Sequence, residues 1–406
     1  MIDQFPHEIQ AFIASKLDAF DSFSFGLALR NRFNDCIKRF DVCLDTVISS
    51  RDELMWVSKY VGKYMIIDFK PETVLNVPNI GLRSHELPLF AGVKSIKTVS
   101  NVVTDASMLG DLYELDLFKT QVSDVRALKN IHTLRLEYTR VRDVSMLGNI
   151  HTLNISNTLV KDVSMLGNVH TLDISRTLVT EVNHLVGVKH LKMANNEITD
   201  VSALTGLLSL DCTSTKVTDV SMLINLTDLN ITDTPVRNVD TLNKLEKLNC
   251  RLSGVSKLNH LDKLKWLDCT CTRVEDLRNL TQLTYLMCGS CPFLTDVSTL
   301  INLIELNCAF SQITDVSMLT LLEKLYINNT QILEVNCLER LVTLGCNDTK
   351  VTRVDNLKNL QWLDIRWSKV TDVSMLTNLK YLGYFPENTY IGSLAQMGIQ
   401  LNPDRC

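Results

Sequence analysis

Residues 144 to 177 read VSMLGNIHTLNISNTLVKDVSMLGNVHTLDISRT, one phrase written twice, nineteen residues apart. A short fixed period marks an array made by stacking one structural unit. The phrase extends both ways as L-x-x-L-x-[LIC]-x-x-[TSN]-x-[VI]-x-D-V-x-x-L-x-x. Its first apolar residue falls at Val93, Leu112, Ile131, Ile150, Val169, Val188, Leu207, Leu226, Leu245, Leu264, Leu283, Leu303, Leu322, Leu341 and Leu360. Each step is nineteen residues except Leu283 to Leu303, which is twenty. The extra residue belongs to GSCPFLTD, where Pro292 and Phe293 are expected to bulge outward. A partial unit, LKYLGYF from Leu379, closes the run.

Within one unit, L-x-x-L-x-L alternates like a short strand with every second residue inward. The remainder has to return in about ten residues to start the next strand in parallel, too few for a full α-helix turned back on the sheet. D-V-S-M-L suits one 3₁₀ turn, with Asp accepting backbone N–H bonds and Val and Leu pointing to the core. The ninth place holds Thr120, Thr139, Thr158, Thr177, Thr215, Thr234, Thr272, Thr330 and Thr349, with Asn, Ser or, once, Cys291 elsewhere in the column, a small polar group suited to bonding the bent backbone after each strand. A single unit buries too few side chains to stand alone, so neighbours must supply the rest of the burial.

The chain of 406 residues has twelve cysteines and a net charge of −5. Lys and Arg are scattered, leaving no basic stripe, so neither nucleic acid nor an anionic membrane is the expected partner. No apolar run approaches the roughly 18 residues of a membrane helix, and MIDQFPHEIQ has no basic region ahead of an apolar core, so the expectation is a cytoplasmic chain. Cys212, Cys250, Cys269, Cys288, Cys308 and Cys346 all occupy the sixth place, where Leu or Ile otherwise stands, and read as reduced core fillers. Stacked on neighbouring strands about 4.8 Å apart, they point the same way instead of converging.

On these residues the chain resembles the leucine-rich repeat family, L-x-x-L-x-L-x-x-N-x-L, with Thr commonly in place of the Asn. The I-x-D-I-x-x-L continuation is similar to the repeats of internalins and of a phosphatase-regulator class, shortened by one triplet. Near-verbatim copies resemble expansions in large DNA viruses of amoebae. The resemblance implies an α/β solenoid over residues 93–385, with one parallel sheet and short 3₁₀ turns. Residues 49–92 read as a linker or degenerate leading repeats, and 386–406 as a C-terminal cap with a short helix in NTYIGSLAQMGIQLNP.

Residues 1–48 break the period. Ile9, Phe12, Ile13 and Leu17 fall at helical spacing after Pro6. This segment resembles an F-box: Phe5-Pro6 stands for leucine-proline, Glu8-Ile9 and Ile13 for the next helix, Leu17-Asp18 and Asp21 for the junction, and Leu27, Leu29, Arg30, Arg32 and Phe33 for the late basic-aromatic segment. It departs in having Phe at the start, Phe33 for the usual Trp, and no late leucine-tryptophan. The resemblance implies docking of a Skp-type adaptor of a cullin ubiquitin ligase through Phe5, Pro6, Ile9, Ile13 and Leu17. The other reading is a plain helical cap sealing the first strand.

No Gly-rich phosphate loop, nucleophile elbow or zinc-protease motif is present, so no catalytic, cofactor or metal residue is assigned. His132, His151 and His170 share the second place and invite a metal reading, but solvated copies of one residue are the simpler account. Asp105, Asp124, Asp143 and Asp162 read as caps. Tyr113, Phe118 and Tyr138 are further aromatics expected on the concave strand face. The denser set, Trp266, Tyr285, Phe310, Tyr326, Trp362 and Trp367 with Arg366, is expected to bind a partner protein there, since Trp, Tyr and Arg are the usual interface anchors. The functional expectation is a non-catalytic adaptor that holds a substrate protein for ubiquitylation, and the rival is a scaffolding solenoid.

Overall fold

The computed structural model describes five short strands between residues 38 and 98, then residues 103–384, 389–392 and 398–403. Two early strands, Lys38–Val42 (β1) and Met65–Phe69 (β3), pair in parallel by themselves. Thr46–Val47 (β2) pairs with Val74–Val77 (β4), which pairs with Ser95–Thr98 (β5). From Glu114–Asp116 (β6) each unit contributes one three-residue strand, through Trp362–Asp364 (β19). Tyr381–Tyr384 (β20) and Gln400–Pro403 (β21) complete the ladder. All these pairings are parallel and from β4 onward they join sequence neighbours; among the described residues no pairing joins β2 to β21, so the ladder is open.

The register repeats the period. Leu134 faces Leu153, Leu153 faces Leu172, and the twenty-residue step appears as Leu286 facing Leu306. Pro292 and Phe293 are exposed between buried Cys291 and Leu294, so the insertion is absorbed outside the core. In the unit from Ile131, the residues Ile131, Leu134, Leu136, Val141, Val144 and Leu147 are all fully or almost fully buried. The same six places are buried in unit after unit, which gives one continuous core along the array.

Polar groups close each turn. Thr139, Thr158, Thr177, Thr215, Thr234, Thr272, Thr330 and Thr349 donate their hydroxyls to the carbonyl three residues earlier, at 2.6–2.7 Å. The residue before each is left-handed: from Lys119 and Tyr138 to Phe310 and Trp367, the eighth place has φ between 51° and 59°. The fifth place, often Asp or Asn, accepts the N–H two residues on, as Asn154 does from Ser156 and Asp268 from Thr270. On the opposite turn Asn225, Asn302, Asn359 and Asn378 donate to a carbonyl of the preceding unit.

Three expectations change. Between residues 103 and 384 the 3₁₀ turns form at Ser107–Leu109, Arg126–Leu128, Ser145–Leu147 and Ser164–Leu166; later units close the same turn with a single Leu N–H to Val C=O bond, as in Leu185 to Val182. The stretch 1–48, expected to be helical, ends in strands Lys38–Val42 and Thr46–Val47, where alternating Phe40 and Val42 fit a pleat as well as a helix. Val74–Val77 is a rung of the ladder inside 49–92. The C-terminal cap is a further rung, Tyr381 facing Gln400, nineteen residues on; the expected helix core at 393–397 lies outside the described residues, as do Phe5, Pro6, Ile9, Ile13 and Leu17.

Candidate functional site

Each strand buries its middle residue and turns the third and fifth places of the repeat away from the core, as with half-buried Thr152 and Asn154 beside Leu153. Because register is kept, the third place forms a row about 4.8 Å apart. From Lys247 it reads Lys247, Trp266, Tyr285, Glu305, Lys324, Thr343, Trp362, Tyr381. Trp266 stacks on Tyr285 with centroids 4.9 Å apart and planes 7° from parallel, while the Lys247 ammonium lies 5.1 Å from the Trp266 ring centre. Trp362 stacks on Tyr381 in the same manner, at 5.2 Å and 6°. These contacts fix the rings as platforms before any partner arrives.

Beside the second platform, Tyr326 leans to 6.2 Å from Trp362. Gly345 stands beneath them: a Cβ there would meet Tyr326 Cδ1 at 3.0 Å and Trp362 Cζ3 at 3.6 Å, so its bareness lets both rings lie down. Asp364 is buried and takes Arg366 as a fork, Nε at 2.9 Å and Nη2 at 2.5 Å, with Asn347 Nδ2 adding 3.2 Å. Such a bidentate pair holds the guanidinium plane in one orientation. Burial, then the Glu305 carboxylate, pushes the Tyr285 phenol above its ordinary range, so it stays a neutral donor.

The first half of the face differs. His132, His151 and His170 form a column stacked at 4.6 Å, continued at one end by Tyr113 at 4.5 Å, and each Nδ1 sits 3.1–3.2 Å from the hydroxyl of the next Thr. Near-parallel rings aim their nitrogens alongside one another instead of at a common point, and among the described residues no cluster of three or more ligating side chains is placed to hold a metal. Burial, with His151, His190 and Lys189 nearby, holds the His170 pKa below its ordinary value. Asp105, Asp143 and Asp162 each accept the N–H of the Ser two residues on, and Asp124 that of Arg126, which is capping. Arg135, itself exposed, bridges the buried carboxylates of Glu137 at 2.7 Å and Asp116 at 3.6 Å, a polar knot that sequence reading did not single out.

The six ladder thiols are free and fully buried. Burial pushes Cys212 and Cys308 up to about 12, and Cys250, Cys288 and Cys346 upward as well, so they are inert fillers. With strand ladder, threonine column and core in place, solved structures supply the comparison. The functional domain of InlJ from Listeria monocytogenes, which includes a cysteine ladder, is 22% identical over 71% of this chain and 70% of that one, with TM-score 0.59. The Leptospira interrogans LRR protein LIC12759 is 17% identical over 81% and 89%, TM-score 0.55. The fold is a leucine-rich repeat solenoid. The plant peptide hormone receptor RGFR1, solved in complex with RGF2, is 14% identical over 94% and 83%, TM-score 0.55. No family model and no curated protein matches the chain.

On this leucine-rich repeat face the expected anchors divide. Trp266, Tyr285, Tyr326 and Trp362 are strand residues, and Arg366 is held by Asp364 of the Trp362 strand. Phe310 and Trp367, expected on strands, instead occupy the left-handed turn, exposed by 61% and 65%. Phe118 and Tyr138 sit after their strand too, ring edge to ring face at 5.6 Å with Lys119 over both. Tyr381 and Lys247 were missed, although reading down the third place finds both.

Proposed function

We propose that the chain is a non-catalytic protein-recognition solenoid whose partner seats on the strand face between Trp266 and Tyr381. One observation carries this reading: two Trp–Tyr stacks in one register row, the second on the strand whose Asp364 holds a forked arginine. Pre-ordered aromatic and arginine side chains lose little entropy on binding, which is what interface hot spots need. The fold neighbour RGFR1 holds a peptide hormone, which is compatible with the reading. Trp266→Ala with Trp362→Ala is expected to lower affinity for a captured partner at least about tenfold, whereas His151→Ala with His170→Ala changes it little. The reverse ranking would place the site on the first half.

The finer reading is substrate recognition for a cytoplasmic Skp–cullin ligase. Its support is the F-box resemblance of Phe5-Pro6, Ile9, Ile13 and Leu17. Ile13→Asp should abolish capture of a purified Skp-type adaptor with the circular dichroism of the solenoid unchanged; loss of folded signal would favour a cap, and with it the scaffolding alternative.

A further inference from the structure

Along the rim where the last strands begin, a cleft of about 610 Å³ is lined by Glu323, Arg340, Val342, Asn359, Gln361, Asn378 and Lys380. Its floor is fixed, because Asn359 and Asn378 spend their amide donors on Glu339 and Lys358 carbonyls at 2.9 and 2.8 Å. Two cations line it. From Leu264 onward the strand-face cations Lys265, Lys324 and Arg366 have carboxylate partners, Glu246, Glu305 and Asp364. Arg340 and Lys380, both exposed, have no ion-pair partner among the described residues. Glu323 is the one carboxylate in the lining, at the end away from Lys380. Lys380 directly precedes Tyr381, so the cleft adjoins the Trp362–Tyr381 stack.

We propose that this rim docks an acidic segment of a partner protein, whose carboxylates pair with Arg340 and Lys380 while an apolar residue beside them rests against Trp362 and Tyr381. The inference rests on the protein-recognition reading above and narrows it to a partner chemistry. The two cations belong to rungs two steps apart, about 10 Å; acids two or four residues apart share one side of an extended chain, at about 7 or 13 Å, a span within reach of the long Arg340 and Lys380 side chains. Unpaired surface cations cost a carboxylate partner nothing in broken ion pairs, whereas the paired ones would have to exchange one carboxylate for another. Complementary charge of this kind governs choice of partner and speed of encounter.

The test uses the full chain and fluorescence anisotropy with a short fluorescein-labelled peptide in which Glu residues flank Leu and Trp, beside a counterpart with Lys for every Glu. The Glu peptide is expected to bind, to weaken at least about tenfold with Arg340→Glu plus Lys380→Glu, and to weaken as salt rises past a Debye length of about 8 Å. Lys350→Glu plus Lys369→Glu, exposed cations of the two intervening units outside the cleft, changes net charge equally and should cost less than about threefold. If the reversal pair loses its circular dichroism, Arg340→Ala plus Lys380→Ala carries the same comparison. Equal binding of both peptides, no binding of the Glu peptide, or equal losses in the two charge-reversal pairs overturns the inference. If a captured partner is lost with Trp266→Ala and Trp362→Ala yet kept with both cleft cations replaced, this inference falls and the broader reading stands.

Discussion

The threonine column contains its own control. Thr234 is buried and its hydroxyl donates to the Ile231 carbonyl at 2.7 Å. Thr120 is buried in the same place of an earlier unit, but its hydroxyl has no hydrogen-bond partner, and the Leu117 carbonyl accepts only the Thr120 N–H, at 3.1 Å. Replacing each by Val removes the hydroxyl and keeps the shape. At Thr234 the loss of a net hydrogen bond and the stranding of a buried acceptor together cost about 1–2 kcal/mol. At Thr120 an unsatisfied buried hydroxyl disappears, so the change is neutral or stabilising by up to about 1 kcal/mol. Urea unfolding of the full chain, followed by tryptophan fluorescence and by amide exchange in peptides spanning each site, measures both. Repeat arrays unfold locally, so exchange near the substituted unit is the more direct reading. Equal destabilisation by the two substitutions, or a larger loss at Thr120, refutes the account of how these turns close.

Gly345→Ala should lift Tyr326 and Trp362 apart, changing near-ultraviolet dichroism and weakening partner binding, for a stability cost of about 1–3 kcal/mol; an unchanged aromatic spectrum would mean that the rings do not lie over the glycine. Alkylation of the native chain should modify exposed Cys271 and Cys337, while the six ladder thiols react only in denaturant; native labelling of Cys288 would contradict the packed core. Backbone N–H donors hold Asp143 and Asp162 below the usual carboxylate range, and the Arg126 and Arg278 side chains hold Asp124 and Asp276 at about 2. Folded values lower than unfolded ones mean stability that is complete above the unfolded carboxylate pKa and lost as pH falls, here between about 4 and about 2. Asp143→Asn with Asp162→Asn keeps the caps and should flatten that acid loss in a pH titration followed by circular dichroism.

The period made most of this architecture readable. Leu134 facing Leu153 follows from nineteen-residue spacing, and Cys269 or Cys288 in a leucine place can only be filler. Phe310 and Trp367 were misplaced because the eighth place has no glycine signature: Lys119, Tyr138, Arg176 and Leu252 all take a left-handed φ there. Ring closure after the strand imposes that conformation, overriding local preference. The last rung at Gln400 was hidden because Gly398 stands where its leucine would. The aromatic platforms were legible as residues but not as stacks, since stacking depends on which columns coincide in three dimensions.

Each rung is only three residues wide, and rungs lie side by side in parallel, bonded only to those before and after. Under tension applied through its two ends, such a ladder is loaded rung by rung like the teeth of a zip, and the bonds of one strand carry the load alone before the next. Each released unit turns a rise of about 4.8 Å into some 65 Å of extended nineteen-residue chain. The molecule should therefore behave as a graded spring, paying out in near-equal steps and recoiling as neighbouring units offer a template.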